Sequence, residues 1–240
     1  MLDHKVIFVS GGTGFIGTAI CRACVDYGAK VIYSYYQQAE KARELTRTLK
    51  NCQSVQINLK DVNDINEKIA KIYQEIDKID VLVNNAGISQ VLPFAMLEEE
   101  DLDDTLAVNV KGTVFLTKAV ARRMIRHKSG VIINIGSIAG QRMLEVPVHY
   151  ALSKAAISGF TYALAAEFKR FNIRVNSVVP GLIEEGISRY IPDDLKADFN
   201  KHCAAGRPGT GREVAEVVCF LASDRASYIN GQNICVDGGI

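Results

Sequence analysis

Short apolar runs alternate with longer amphipathic stretches along the whole chain. The runs are rich in Val and Ile and lie at 5–10, 30–33, 54–57, 80–83, 131–135, 173–179 and 233–236. Because they are continuous in hydrophobicity, they are typical of parallel strands that are covered on both faces. The stretches between them predict helices at 15–27, 39–50, 62–77, 102–127 and 150–171. This alternation of strand and helix predicts an α/β fold with a doubly wound parallel sheet.

No linker rich in Pro, Gly or Ser, no low-complexity stretch and no internal repeat divides the sequence. We therefore predict a single Rossmann-type domain over residues 1–240. One segment departs from the alternation, because charged and apolar residues mix between Pro180 and Gly211 without a strand pattern. It follows a predicted strand at the edge where such sheets bind ligands. We expect a helical substrate lid at about 182–210.

Charge and composition narrow the classes of partner. The net charge of +1 gives no electrostatic reason to expect a nucleic acid or an anionic membrane as the main partner. No apolar run is long enough to span a membrane, and the N-terminal residues lead directly into a strand pattern with no signal peptide. Most cysteines, including Cys21 and Cys24, lie within apolar patterns with no metal-ligand cluster, so we expect a cytoplasmic protein without a bound metal.

A glycine-rich turn, Ser10 to Gly17, follows the first strand and opens the first helix. In this context Gly11 permits a tight turn, Gly14 allows a pyrophosphate to approach the backbone, and Gly17 allows the helix to pack closely on the sheet. The unpaired N–H groups of the helix N-terminus favour phosphate. The turn therefore predicts a dinucleotide site.

The choice of dinucleotide depends on the end of the second strand. NAD sites commonly place an acid there to bind the ribose 2′-hydroxyl, whereas NADP sites provide a base. Residues 33–38 contain no acid, the first acid is Glu40, and Lys41 and Arg43 follow closely. The sequence thus favours NADP over NAD.

Tyr150 and Lys154 are four residues apart at the start of a predicted helix, so their side chains lie on one face. A free phenol has a pKa of about 10 and is a poor acid–base group at neutral pH. A nearby ammonium favours the phenolate, and we therefore expect Lys154 to lower the pKa of Tyr150. The pair is a candidate for proton-transfer chemistry.

With these features in place, the chain resembles a short-chain dehydrogenase/reductase over essentially its whole length. The stretches that carry the resemblance occur in the family's order: the glycine turn at 11–17, Asn84-Asn85-Ala86-Gly87, Asn109, Ser137, Tyr150 with Lys154, Pro180-Gly181 and Asp237-Gly238-Gly239.

The resemblance implies a set of catalytic roles. Tyr150 would be the general acid for carbonyl reduction, or the base for alcohol oxidation, and Lys154 would bind the nicotinamide ribose. Ser137 would stabilise charge on the substrate oxygen, and Asn109 would hold a water that links Lys154 to solvent. The cofactor contacts that it implies are Gly11, Thr13, Gly14, Phe15, Ile16, Gly17, Tyr35, Asn58, Leu59, Asn85, Ala86, Gly87, Tyr150, Lys154, Pro180, Gly181 and Ile183.

Two positions depart from the family pattern. Compact relatives carry a glycine at the position of Phe15, and the Gly11, Gly14 and Gly17 spacing is that of the extended branches. Many relatives also have a threonine, which helps to hold the carboxamide, where this chain has Glu184 and Glu185.

The overall pattern is most similar to beta-ketoacyl-acyl carrier protein reductases. This implies NADPH-dependent reduction of a 3-oxoacyl thioester to the 3-hydroxyacyl form in fatty-acid or polyketide-like biosynthesis. Two alternatives stay open: an NAD(P)-dependent dehydrogenase of a sugar, polyol or other small secondary alcohol, and a non-catalytic dinucleotide-binding sensor. The complete catalytic set argues against the sensor.

The resemblance also implies partners. An acidic carrier protein would need basic residues near the cleft entrance. Candidates are Arg122, Arg123, Arg126, Lys128, Lys169 and Arg170. Most of them lie at predicted helix C-termini, where positive charge also complements the helix dipole, so both roles stay open. The helices starting near Leu102 and Tyr150 carry apolar residues on more than one face, and we expect a homotetramer.

Overall fold

Parallel strands form the centre of the molecule. The computed structural model describes the backbone of residues 1–240 and all side chains except those of Ile187 and Tyr190. The strands are β1 (Val6–Val9), β2 (Lys30–Tyr35), β3 (Cys52–Gln56), β4 (Val81–Asn84), β5 (Gly130–Ile135), β6 (Ile173–Pro180) and β7 (Asn233–Val236). They form one seven-stranded sheet in the order β3-β2-β1-β4-β5-β6-β7. Every neighbouring pair is parallel, which confirms the predicted doubly wound sheet.

Helices cover both faces of the sheet. They are α1 (Phe15–Asp26), α2 (Ala39–Thr48), α3 (Val62–Glu75), α4 (Glu99–Leu106), α5 (Thr113–His127), α6 (Val148–Phe168), α7 (Asp193–His202) and α8 (Gly211–Ala222). One core cluster joins the sheet to α1, α2 and α8, and a second joins it to α3, α5 and α6. The continuous Val and Ile runs are therefore explained by strands with two apolar faces. Cys21 and Cys24 are buried in the first cluster.

The strand order reverses direction at β1, which lies between β2 and β4. In open α/β sheets a crevice forms at this point, outside the carboxyl ends of the strands. The glycine turn follows β1, and the segments carrying the candidate catalytic residues follow β4 and β5. The fold thus brings residues that are far apart in sequence to one edge of the sheet.

The helix predicted over 102–127 is interrupted. Between α4 and α5 the backbone forms a π-helix at Ala107–Gly112, which contains Asn109. One extra residue in a helical turn re-aims the side chains around it, and such bulges occur often at functional sites. The periodicity of apolar residues does not reveal this insertion, because the apolar stripe continues on either side.

The segment predicted as a lid contains a short 3₁₀ helix, Gly186–Tyr190, followed by α7. Its two ends meet where Ile183 pairs with Gly209, and the Glu184 N–H donates to the Gly209 carbonyl at 2.9 Å. The segment therefore leaves the end of β6 and returns close to its own starting point before α8 begins. Among the described residues, no helix is long and apolar enough to cross a membrane.

Candidate active site

A cleft of about 1240 Å³ runs along the carboxyl ends of the strands, from the turn after β1 to α7. Every residue predicted to contact the cofactor lines it: Gly11, Thr13, Gly14, Phe15, Ile16, Gly17, Tyr35, Asn58, Leu59, Asn85, Ala86, Gly87, Tyr150, Lys154, Pro180, Gly181 and Ile183. Ser137 lines it as well, whereas Asn109 lies behind its wall. The sequence-derived set therefore belongs to one continuous surface.

The glycine turn is shaped by close backbone contacts. Gly11 has φ of +66°, a conformation that side chains other than glycine rarely adopt. A Cβ on Gly17 would overlap the Gly11 carbonyl oxygen, so α1 can approach the turn only with glycine there. Gly12, which was not among the predicted site residues, is also required, because a Cβ there would lie 2.5 Å from the buried ring of Tyr33. The doubled glycine of the turn was the signal for it.

The start of α1 fits a pyrophosphate. Gly14 is the N-cap residue and provides no side-chain hydrogen bond to the first turn, and that turn contains no acidic residue. The first N–H groups of the helix are thus left for an external acceptor, and no carboxylate competes with an anion. The residues that are present therefore fit the phosphate groups of a dinucleotide.

Phe15 fits the turn because of glycine on a neighbouring helix. A Cβ on Gly211, the first residue of α8, would lie 3.2 Å from Cε1 of the Phe15 ring. A Cβ on Gly186 would lie 3.3 Å from the Cβ of Phe15. The large side chain that departs from the compact family pattern is therefore packed where α8 and the start of the 182–210 segment lack side chains.

Ser10 ties the glycine turn to the end of β4, a role that the sequence analysis missed. Its hydroxyl oxygen accepts hydrogen bonds from the N–H groups of Asn85 and Ala86, both at 3.0 Å. In return, the Asn85 amide donates to the carbonyls of Ser10 and Gly11 at 3.0 and 3.1 Å. The two sides of the crevice are thus fixed to each other where the dinucleotide would cross.

The wall beyond β2 carries no acid among the described cleft residues. It is formed by Tyr35, Tyr36, Gln37, Gln38 and Lys41. The carboxylate of Glu40 does not line the cleft and is paired with Arg43 at 2.7 Å. Lys41 is therefore the cationic side chain that α2 presents to this end of the cleft.

Tyr150 and Lys154 lie on the first turns of α6. The Lys154 ammonium is buried, donates to the Ile135 carbonyl at 2.8 Å, and lies 5.7 Å from the centre of the Tyr150 ring. Ile135 lies just beyond the last β4–β5 pair, Asn84 with Asn134. Its carbonyl is therefore available at the strand end for the lysine.

The net shift of the Tyr150 pKa in this structure is upward, whereas a net lowering by Lys154 was expected. Burial raises the pKa of Tyr150 above 10.0, and a hydrogen bond with the Ser137 side chain offsets this only in part. Burial also lowers the pKa of Lys154, to about 8. The structure thus holds a protonated phenol beside an easily deprotonated ammonium.

Ser137 follows β5 and begins the 3₁₀ turn Ile138–Gly140. Its hydroxyl oxygen accepts a hydrogen bond from the Ala139 N–H at 3.2 Å. The Ser137 hydroxyl also forms a second hydrogen bond, with the hydroxyl of Tyr150. This capping contact fixes the serine rotamer next to the phenol. The hydroxyl groups of Ser137 and Tyr150 therefore converge on one region of the cleft.

Asn109 is held rigidly by the segment after β4. Its side-chain oxygen accepts from the Ile88 N–H at 2.8 Å, and its amide donates to the Ile88 carbonyl at 2.9 Å and to the Ser153 hydroxyl at 3.0 Å. Gly87 separates it from Lys154, because a Cβ there would lie 3.4 Å from Asn109 Oδ1 and 3.6 Å from Lys154 Nζ. The structure brings Asn109 near the lysine without a direct bond between them.

The basic residues expected near the entrance do not border the cleft of their own chain. Arg122, Arg126 and Lys128 are exposed, but they lie where α5 ends and β5 begins, at the opposite edge of the sheet. Arg123 donates to the carbonyls of Tyr73 and Asp77 at 3.1 and 2.7 Å, and so it caps the end of α3. The sequence showed the charge but not which end of the sheet carries it.

Comparisons with known proteins agree with this geometry. A family model described as enoyl-(acyl carrier protein) reductase matches residues 13–240. The 3-oxoacyl-[acyl-carrier-protein] reductase FabG of Aquifex aeolicus is 36% identical over 244 residues, covering 100% of this chain and 98% of that protein. The protein of the same name from Escherichia coli is 36% identical over 239 residues, with 99% and 98% covered.

Solved structures are similar in the same way. The crystal structure of gox2181 matches with a TM-score of 0.93 and 30% identity, over 99% of this chain and 95% of that chain. A protein described as a short chain dehydrogenase/reductase family protein matches with a TM-score of 0.89 and 30% identity, over 99% and 97%. The likeness therefore includes the whole sheet and the segment between β6 and α8.

Proposed function

We propose that this chain, which belongs to the short-chain dehydrogenase/reductase family, uses NADPH to reduce the ketone of a β-ketoacyl thioester to a hydroxyl group. Members of this family are NAD(P)-dependent oxidoreductases. The observation that carries this proposal is the pair of hydrogen-bonded hydroxyl groups of Tyr150 and Ser137, at the wall of a cleft lined mostly by apolar atoms.

When bound, the nicotinamide dinucleotide supplies the hydride and takes the place along the cleft that the glycine turn prepares. The N–H groups at the start of α1 bind its phosphates, and Lys154 binds the nicotinamide ribose. Asn85, Ala86 and Gly87 form the opposite wall, held in place by Ser10. These residues would hold the dinucleotide along the cleft.

Tyr150 delivers the proton to the substrate oxygen. Because burial raises the pKa of Tyr150, the phenol keeps its proton at neutral pH and acts as an acid. In the reverse reaction the phenolate of the same residue would act as the base.

Ser137 donates a second hydrogen bond to the same oxygen and stabilises the charge that develops there. Lys154 replaces the proton that Tyr150 gives up, and Asn109, which the Ile88 backbone holds in place, would bind the water that links the lysine to solvent. Two donors that converge on one oxygen match a ketone. They match less well the carbon–carbon double bond named in the family-model description.

The walls near Tyr150 favour an acyl substrate over a sugar. Ile88, Val91, Leu144 and Val146 line this part of the cleft, and Leu195 and Phe199 of α7 line its far side. Glu145, Asp198 and His202 also line the cleft, so it is against the apolar share of these walls that a polyol hydroxyl group lacks a partner, at a cost of about 1–3 kcal/mol. An acyl chain loses nothing by entering. The full-length similarity to 3-oxoacyl-[acyl-carrier-protein] reductases supports the same substrate class.

The wall beyond β2 supports the choice of NADPH. No acid is present there among the described residues to bind the 2′-hydroxyl of NAD, and Lys41 is near enough to meet a 2′-phosphate. The charge on Lys41 is not neutralised by Glu40, which pairs with Arg43.

We further propose a homotetramer in which α6 packs against another copy. Val148, Leu152 and Tyr162 of α6 are 48%, 50% and 54% exposed, which is high for apolar residues on one helix. A single monomeric species in light scattering would contradict the tetramer.

The experiment that tests the function is a turnover assay with purified protein. NADPH oxidation is followed with acetoacetyl thioesters of carrier protein and of coenzyme A, with NADH as the cofactor control. We expect turnover with the thioesters and a preference for NADPH. If NADPH is not oxidised with either thioester while a sugar alcohol is oxidised readily, the dehydrogenase alternative replaces this proposal.

A further inference from the structure

Four buried side chains form a continuous hydrogen-bonded bridge from α5, across β4 and β5, to α6. The Asn84 amide donates to Thr117 Oγ1 and to Asn134 Oδ1, both at 2.8 Å. The Asn134 amide donates to Thr161 Oγ1 at 2.9 Å, and the Thr161 hydroxyl donates to the Ile157 carbonyl at 2.8 Å. We call Thr117, Asn84, Asn134 and Thr161 the crossbar.

The direction of every hydrogen bond in the crossbar is fixed. Thr161 uses its proton on the Ile157 carbonyl, so its oxygen can only accept from Asn134. That orientation leaves the Asn134 oxygen to accept from Asn84. Each member therefore has one position relative to the next, and the distance between the two helices is set by side chains as well as by packing.

The crossbar ends on the same helix faces as two candidate catalytic residues. Thr161 is seven residues after Lys154 on α6, which is two turns, or about 10 Å along the axis with about 20° of rotation. Thr117 is eight residues after Asn109, at the π-helix that leads into α5. One bridge thus links the helix that carries the lysine to the helical segment that carries the asparagine.

Two contacts fix α6 to the end of β5, at positions two turns apart along the helix. Lys154 donates to the Ile135 carbonyl, and Thr161 accepts from the side chain of Asn134, the preceding residue on the strand. A helix with two such attachments can neither slide nor rotate freely over the strand. With only the lysine attachment left, a rotation of about 10° would move a side chain on the helix surface by about 1 Å.

The packing of α5 and α6 against the sheet does not require polar side chains at the four crossbar positions. Asn84, Asn134, Thr117 and Thr161 are all at most 4% exposed and lie beside the apolar cluster of α3, α5 and α6. Burying amide and hydroxyl groups costs free energy even when they are paired, the buried Asn84 Oδ1 has no partner among the described residues, and apolar residues of the same shape are often as stable. The benefit of such a bridge is that it fixes the position of α6 relative to α5 and the sheet.

We propose that Asn134 and Thr161 are positioning residues for the reaction, which hold α6 at the rotation where Lys154 meets Tyr150 and the cleft. This inference rests on the proposed function of Lys154. It assigns the reaction a second layer of residues two turns away from the chemistry, at positions that do not line the cleft.

Thr161→Val tests the proposal because it removes the hydrogen-bonding oxygen with little change of shape. The protonation of Lys154 is followed by heteronuclear NMR of the lysine ammonium, with Lys154→Arg to assign the signal. We expect the pKa of Lys154 to rise from about 8 by roughly one unit, as a loosened α6 admits water to the ammonium. We also expect kcat to fall about 10- to 100-fold with little change in KM.

Two comparison variants separate positioning from stability. Thr161→Ser keeps the oxygen and loses the methyl group, and it should restore both the lysine titration and kcat. Thr117→Val breaks the other end of the crossbar and costs similar stability, but it leaves α6 attached, so the Lys154 titration should stay as in the wild type. If Thr161→Val does not fold, Thr161→Cys is used, because a thiol is a weak acceptor of nearly the same size.

The proposal is overturned if Thr161→Val lowers the melting temperature while the Lys154 titration and the pH profile stay as in the wild type. It is also overturned if Thr161→Ser behaves like Thr161→Val, since methyl packing would then be the cause. The NMR titration needs no substrate. A wild type that is inactive on ketoacyl thioesters would therefore count against the proposed function and leave this test readable.

Discussion

At the turn after β1 the cleft is shaped by glycines, which have no side chain, whereas around Tyr150 it is shaped by side chains that form hydrogen bonds. Gly11, Gly12 and Gly17 let backbone and ring atoms approach to contact distance. Lys154, Ser137 and Asn109 come from three separate segments and are fixed by named acceptors or donors. The two ends should therefore fail differently: the turn by losing its shape, and the catalytic end by losing chemistry while the shape remains.

The prediction with the largest expected effect tests the catalytic end alone. Tyr150→Phe removes one hydroxyl from a half-buried ring, so kcat should fall by about 10²–10⁴-fold because the general acid is gone. NADPH affinity and the melting temperature should stay near their wild-type values, measured by fluorescence titration and calorimetry. Turnover at the wild-type rate would show that another group delivers the proton.

The second prediction targets the turn. In Gly17→Ala the new methyl group would overlap the Gly11 carbonyl, and the backbone would have to move. We expect a loss of about 1–3 kcal/mol in the free energy of unfolding, measured by denaturation with urea, together with weaker NADPH binding.

Gly159→Ala is the matched control for the turn, because a Cβ at that exposed position of α6 meets no atom within 4 Å. In a single copy it should stabilise the chain by about 0.5–1 kcal/mol through helix propensity, but Gly159 is two turns from Leu152 on the α6 face that the proposed tetramer covers, and contacts there would offset the gain. If Gly17→Ala is as stable as Gly159→Ala, the close approach at the turn does not limit the fold. A loss of stability at Gly159 would instead indicate that this face of α6 packs against another copy.

These two ends also differ in how far the sequence predicts them. The glycine turn is local, so its context after a strand and before a helix was enough to place it, although Gly12 needed the position of Tyr33. The residues Tyr150 and Lys154 were found from their spacing, but the direction of the Tyr150 pKa was not, because burial is a property of the folded chain. The π-helix around Asn109 and the crossbar depend on contacts between segments that are distant in sequence. The spacing of apolar residues along the chain does not predict such contacts.

The third prediction uses pH to sharpen the catalytic end. The pKa of Lys154 is about 8, so its ammonium is lost as the pH rises through that value. We expect kcat/KM, which reports the free enzyme, to fall about tenfold per pH unit above pH 8. A profile that stays flat to pH 10 would mean that the lysine charge is not used.

Folding stability should respond to the same group in the opposite direction. The pKa of Lys154 is lower in the folded chain than its ordinary value of 10.5, so the unfolded chain binds more protons between about pH 8 and pH 10.5. The contribution of this group to the free energy of unfolding therefore rises with pH in that window, by at most about 3 kcal/mol. Lys154→Met should abolish this rise in urea denaturation at pH 8 and pH 10.

The smallest expected effect concerns the far side of the turn, where one exposed charge decides between two cofactors. Lys41→Ala removes the cation that α2 presents to the cleft, so NADPH should bind about fivefold more weakly, a loss of about 1 kcal/mol. NADH has no 2′-phosphate and should bind as before. Arg43→Ala is the control, because its guanidinium is paired with Glu40 and does not line the cleft. Equal losses for NADPH and NADH in Lys41→Ala would mean that the lysine supports the wall and does not recognise the phosphate, and the preference would then rest on the absence of an acid after β2.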